Sequence, residues 1–250
     1  MSSKLRAVVL REMGIECEEE TFRALKDCGI ERVEYFGLSD LFESGWQARL
    51  QLDAKTWVWV PGGFSFSDDF GAGRLLAYWL KEHGFLDEVL KRGAHLTGIC
   101  NGFQALSHLN VFGSHTRLLP NAPRGFQNRW VHVALATGEE HKLPVRHGEG
   151  RLHLGAPLPE GVQPFLFYRD ENFTNGSHER IAGLVSRVGA SWCFGMMPHP
   201  EIALRSLDAP QTSGTSRMPK FRSEVFDLNG SGFQVIQRMM DLIEQRSPLT

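Results

Sequence analysis

Hydrophobic positions along the chain alternate between two spacings. Short apolar runs rich in β-branched and aromatic residues occur at 4–10, 33–36, 57–60 and in the run that ends at Ile99. They read as buried strands. Between them apolar residues recur three or four apart. The segment 18–27 carries Phe22, Ala24 and Leu25; 38–52 carries Leu41, Phe42 and Trp46 around Gly45; 74–91 carries Leu75, Leu76, Trp79, Leu80, Leu86, Val89 and Leu90. This spacing predicts helices, with a further one at 103–109. Strand and helix alternating four times predicts an α/β fold, a mostly parallel central sheet flanked by helices on both faces.

The pattern changes in the second half. Short alternating runs at 130–136, 142–146, 152–154, 165–168, 181–188 and 192–197 predict strands, some separated by turns such as Asn175-Gly176. An additional antiparallel region is therefore expected there. The segment 209–220, rich in Ser, Thr, Pro and Gly, reads as a mobile loop, and 233–244 as a closing helix. Repeats and long linkers are lacking, so residues 1–250 are expected to form one domain.

Strand ends are where α/β folds place ligands, and two glycine-rich turns fall there. One is Gly98-Ile99-Cys100-Asn101-Gly102. Strand, tight turn, nucleophile and helix is the nucleophile-elbow layout, with the helix start offering amides and a positive dipole end to a thiolate. The alternative is a buried structural cysteine beside helix-packing glycines. The other turn is Pro61-Gly62-Gly63, whose backbone can approach a ligand closely or simply reverse the chain. Asp68-Asp69 follows it without a third ligand nearby, so no metal is expected.

Two histidines compete as the partner of Cys100. His199 precedes Glu201 by two residues in Pro198-His199-Pro200-Glu201, which in extended chain puts both side chains on one side. A carboxylate can then orient an imidazole that serves a thiol. His147, in His147-Gly148-Glu149-Gly150, is the rival base, on a loop that either holds substrate or merely turns a hairpin.

Composition narrows the class. The net charge of −2 gives no basic footprint for nucleic acid. There is no apolar run of about 18 residues for a membrane span, and the first residues lack a signal-peptide core. The four cysteines, Cys17, Cys28, Cys100 and Cys193, are scattered, which fits neither a disulfide framework nor a spaced zinc motif. A reducing cytoplasm is the expected location.

Taken together, PGGFSFSDDFGAGRLLA at 61–77, GICNGFQAL at 98–106, HGEG at 147–150, Asn175-Gly176-Ser177, and GMMPHPE at 195–201 resemble the class I (triad) glutamine amidotransferases. Within that class they are similar to the glutaminase subunits of phosphoribosylformylglycinamidine synthase, an enzyme of de novo purine synthesis. The resemblance implies a flavodoxin-like fold and a glutaminase that turns L-glutamine into glutamate and ammonia. It implies Cys100 as nucleophile, His199 as base and Glu201 as its orienter. It further implies amides of Gly63 and Asn101 as oxyanion hole, and Gly62, Gln104 and Gly148 as substrate contacts. No cofactor is implied in this chain, which carries no Walker A motif. ATP and Mg²⁺ would belong to a large synthetase partner, which takes the ammonia and converts formylglycinamide ribonucleotide to its amidine, in many such systems with a third small subunit. Two alternatives share the scaffold: a class I glutaminase serving another acceptor, and a non-catalytic regulatory paralogue.

The chain departs from the family pattern in places. Glu16-Cys17 stands where Asn-Cys is usual, Ser67 where a Gly is usual, and 204–232 looks longer than the family end.

Overall fold

The computed structural model describes residues 3–170, 175–204 and 230–245. The expected loop at 209–220, and most of 204–232, lie outside the described residues.

The expected strands of the first half are β1 (Ser3–Arg11), β2 (Ile30–Gly37), β3 (Thr56–Val60) and β4 (His95–Ile99). Every residue of β3 and β4 is buried, as suits strands covered on both faces. The second half adds β5 (Thr116–Leu119), β6 (Gln127–Leu135), β7 (Glu140–His147), β8 (Arg151–Leu154), β9 (Val162–Tyr168), β10 (Ile181–Val188) and β11 (Ser191–Met196). Nine strands form one sheet in the order β2-β1-β3-β4-β11-β10-β9-β6-β7, and β5 pairs with β8 apart from it.

The sheet is parallel from β2 through β4 to β11, then antiparallel through β10, β9, β6 and β7. The antiparallel region is thus a continuation of the central sheet. The last strand in sequence returns to the middle, where Gly195 lies opposite Gly98. This return carries the segment after β11 to the same sheet edge as the segment after β4. It brings residues near 200 to residues near 100.

The helices are α1 (Glu18–Asp27), α2 (Trp46–Leu50), α3 (Arg74–Glu82), α4 (Phe85–Lys91), α5 (Asn101–His108) and α6 (Ser231–Ile243). Two expected helices are divided. The segment 74–91 breaks between α3 and α4 at Gly84, which takes φ +63° and closes the first helix onto the Lys81 carbonyl. Its apolar periodicity runs through the break because Leu76 and Leu80 of the first half and Phe85 and Val89 of the second are buried in one core. The segment 38–52 is a 3₁₀ turn at Leu38–Phe42 followed by α2, and Gly45 at φ +82° opens the latter. Strand β5 was not expected, since Thr116–Leu119 is too short to show a period. Among the described residues no helix is long and apolar enough to cross a membrane.

Candidate active site

Cys100 sits between β4 and α5 with φ +50° and ψ −105°. This strained, left-handed turn is what an elbow requires of its nucleophile. Neighbouring glycines make it possible. A Cβ on Gly102 would lie 1.9 Å from the Val60 carbonyl oxygen, so α5 can leave the sheet this closely only with glycine there. The Cys100 amide donates to the Met196 carbonyl at 2.8 Å, fixing the elbow to β11. Its thiol is buried and donates to the Arg146 carbonyl at 3.4 Å.

His199 and Glu201 arrive from the end of β11. Nδ1 of His199 lies 2.6 Å from Oε1 of Glu201, and both side chains are buried. The backbone amide of His199 donates to the Pro144 carbonyl at 2.9 Å, which holds the loop against β7. Gly62 marks where the pieces meet. A Cβ there would stand 2.7 Å from Cε1 of His199, 3.4 Å from Cβ of Cys100 and 3.5 Å from Sγ of Cys17. The imidazole and both thiols therefore surround one point. Burial disfavours the His199 cation, yet the Glu201 carboxylate, with Cys100 and Cys17 beyond it, outweighs burial and raises the pKa well above the ordinary range.

The Pro61-Gly62-Gly63 turn is clamped by the first loop of the chain. The Gly62 carbonyl accepts from the amides of Glu16 and Cys17 at 3.1 Å each, and the Phe64 amide donates to Gly14 at 2.8 Å. Gly63 takes φ +152°, and a Cβ on it would lie 2.4 Å from the Gly14 carbonyl oxygen. The turn after β3 and the elbow after β4 are tied through Asn101. Its Oδ1 accepts from the amide and hydroxyl of Ser65. Its Nδ2 donates to Asp68 at 2.8 Å and to Gln104 at 3.0 Å. Gln104 in turn donates to the Glu149 carbonyl at 2.6 Å, next to Gly148. Gln104, expected to contact substrate, is thus joined to the elbow by one polar network that reaches the loop carrying Gly148.

His147 has a different setting. Its Nδ1 lies 3.1 Å from Oδ1 of Asn121, whose amide group also donates to the His147 and Gly125 carbonyls. Burial, reinforced by neighbouring His199, pushes its pKa down to about 3. Among the described residues it has no carboxylate partner of the kind His199 has. Gly150 packs flat on this ring, with room for no side chain. Asn175 completes the loop by donating to the Gly150 carbonyl at 2.9 Å.

Sequence reading missed several contributors. Asn121 is buried and central to the 147–150 loop, but an isolated Asn carries no spacing signal. Asp68 was weighed only as a metal ligand, whereas it accepts from Asn101. Cys17 entered only as part of a departure from the family pattern, yet it faces His199.

A model of the CobB/CobQ-like glutamine amidotransferase domain matches residues 4–229. The chain is 34% identical to the phosphoribosylformylglycinamidine synthase subunit PurQ of Picrophilus torridus, with 90% of this chain and 97% of that protein covered. The chain belongs to the PurQ-like glutamine amidotransferases. It is 29% identical to the subunit of the same name from Methanococcus maripaludis, over 82% of this chain and 85% of that one. Among solved structures it resembles a chain of PurLQS from Thermotoga maritima, with a TM-score of 0.69, 27% identity, and coverage of 95% and 99%. The resemblance runs nearly end to end, so the strand return that joins residues 98–104 to 195–201 lies inside the shared fold.

Proposed function

We propose that this chain is the glutaminase subunit of a phosphoribosylformylglycinamidine synthase. Cys100 attacks the side-chain amide carbon of glutamine. His199 takes the thiol proton and delivers it to the departing nitrogen, which leaves as ammonia. Glu201 keeps the His199 ring in the tautomer and orientation that serve both transfers. Water, with His199 as base, then hydrolyses the γ-glutamyl thioester and frees glutamate. Each tetrahedral intermediate develops an oxyanion that the amides of Gly63 and Asn101 meet; losing one such donor costs about 3–4 kcal/mol. Gly62 leaves room for substrate beside the thiol, while Gln104 and the Gly148 loop bind its amino-acid end.

The observation that carries this reading is the buried His199–Glu201 pair, 2.6 Å apart, facing the thiol of an elbow cysteine. A nucleophile, a histidine and a residue that orients the histidine recur in that arrangement on unrelated folds. The family supplies the amide of glutamine as the acyl donor.

The ammonia passes to a large synthetase subunit, which supplies ATP, Mg²⁺ and the acceptor nucleotide; a small third subunit completes the assembly. The similar solved structure from Thermotoga maritima bears the name PurLQS, which supports an assembly with a partner subunit. The mouth of the site carries exposed apolar residues suited to that partner. Phe64 and Phe126 stack with ring centroids 6.3 Å apart, and Phe70 is 79% exposed.

Reconstitution tests the reading. With its co-purified synthetase, the Cys100→Ala chain should support amidine formation from ammonium salts but not from glutamine. Wild-type glutamine use by that variant removes Cys100 as nucleophile. Product with a different acceptor places the same chemistry in another pathway.

A further inference from the structure

Behind the nucleophile, three buried residues from opposite ends of the chain converge. One donor atom each from Cys17, His199 and Glu201 lie within 4.8 Å of one another. Cys17 is set there by two backbone features. Its amide donates to the Gly62 carbonyl at 3.1 Å, and its position opens α1. The His199 ring is turned toward the thiols of Cys17 and Cys100, while Oε2 of Glu201 is buried without a hydrogen-bond partner among the described residues. Buried polar atoms are nearly always satisfied, so an orphan carboxylate oxygen clustered with an imidazole and a thiol points to a ligand.

We propose that Cys17, His199 and Glu201 form a zinc-binding site that holds the glutaminase off.

The donor set selects the ion. Sulfur, imidazole nitrogen and carboxylate oxygen are the three ligand types zinc takes, whereas magnesium and calcium require oxygen. Charge balances as well. A thiolate and a carboxylate neutralise a divalent cation in a place where net charge would be costly. The proton that Cys17 releases on binding passes to buffer. Coordination draws the imidazole and the carboxylate away from their mutual pairing and from Cys100. Binding follows from the cluster alone; the inhibition rests on the glutaminase reading of His199. The sequence analysis expects no metal, because zinc motifs are recognised by short spacings and these ligands share none.

Cobalt(II) is the probe, since cobalt–thiolate bonds absorb in the near ultraviolet and zinc displaces the ion. Reduced, full-length protein is titrated as wild type, Cys100→Ala, Cys17→Ala and Cys17→Ser. Wild type and Cys100→Ala should bind one cobalt per chain with the thiolate band. Cys17→Ala should lose the band and bind zinc at least about tenfold more weakly. Thermal unfolding checks each fold, and Cys17→Ser, closer in size, gives the same reading if the alanine variant fails to fold. Loss of the band in Cys100→Ala with retention in Cys17→Ala overturns the site, as does a wild type that binds no cobalt at millimolar concentration. In parallel, zinc should inhibit glutamine hydrolysis by the wild type, and about tenfold more zinc should be needed for Cys17→Ala. One-to-one binding without inhibition overturns the regulatory half of the proposal; the base role of His199 is tested apart from zinc, by the loss of glutamine turnover in metal-free His199→Ala.

Discussion

Oε1 of Glu201 lies 2.6 Å from Nδ1 of His199, with both side chains withdrawn from solvent. Burial alone would strip the imidazole of its proton, and the carboxylate reverses that balance. The pair therefore does two things at once: it orients the ring and strengthens it as a proton acceptor.

Glu201→Gln should keep the ring in place and remove the charge. The expected loss in kcat is about a hundredfold or more, with KM for glutamine nearly unchanged. Because the raised pKa of His199 depends on this carboxylate, the alkaline limb of the kcat profile should move to lower pH. Stability follows the same sign. A histidine pKa raised by folding stabilises most below its unfolded value of about 6.5, and that gain disappears as pH rises through the folded value. The stability difference between wild type and Glu201→Gln should shrink toward alkaline pH. Denaturant unfolding at several pH values checks it.

Gly62→Ala adds one methyl group at the point where three side chains meet. That methyl would sit 2.7 Å from the His199 ring, so the ring must move. A displacement of about 1 Å at a reacting group can cost about a hundredfold in rate. The variant should fold, as judged by its thermal midpoint, and hydrolyse glutamine about a hundredfold more slowly. Unchanged turnover would remove Gly62 from the site.

His95 governs acid stability away from the site. The Trp192 amide donates to its Nδ1 at 3.1 Å, and its Nε2 lies 3.1 Å from the Ala54 carbonyl oxygen. Both nitrogens are satisfied only in the neutral ring. Burial, aided by Arg187 and opposed by the Ala54 hydrogen bond, lowers its pKa to about 4. A histidine depressed by folding stabilises fully above its unfolded value of about 6.5 and loses that gain as pH falls toward 4. The thermal midpoint should fall across this window, and His95→Gln should flatten the fall. An equally steep decline in the variant would assign acid lability elsewhere.

Phe64 and Phe126 stand 46% and 55% exposed at the site mouth. Replacing both with Ser should leave the thermal midpoint nearly unchanged, since neither ring is in the core. It should weaken binding to the synthetase subunit about tenfold or more, as loss of aromatic anchors does. Sedimentation or calorimetry with the purified partner measures this. Unaltered affinity would place the contact on another face.

Much of this was legible in the sequence because the signals were local. The parallel half shows in the run-and-helix rhythm up to Cys100, and the elbow shows in its flanking glycines. His199 and Glu201 stood out through their spacing of two. What was not legible depends on distant pairing. That β11 returns beside β4 is written in no local pattern, yet it alone brings His199 to Cys100. The division of 74–91 at Gly84 was hidden because both helices bury apolar residues at helical spacing in one core. Asn121 and Cys17 gave no period or motif; only burial and contact distinguish them.

The central claim is that Cys100, and not another of the four buried thiols, attacks the amide carbon of glutamine. Mass spectrometry after treatment with a diazoketone analogue of glutamine tests it most directly. One adduct per chain should form on the peptide containing Cys100. Excess glutamine should slow its formation, and it should be absent from Cys100→Ala. An adduct on Cys17, or labelling of Cys100 that glutamine does not slow, would contradict the assignment.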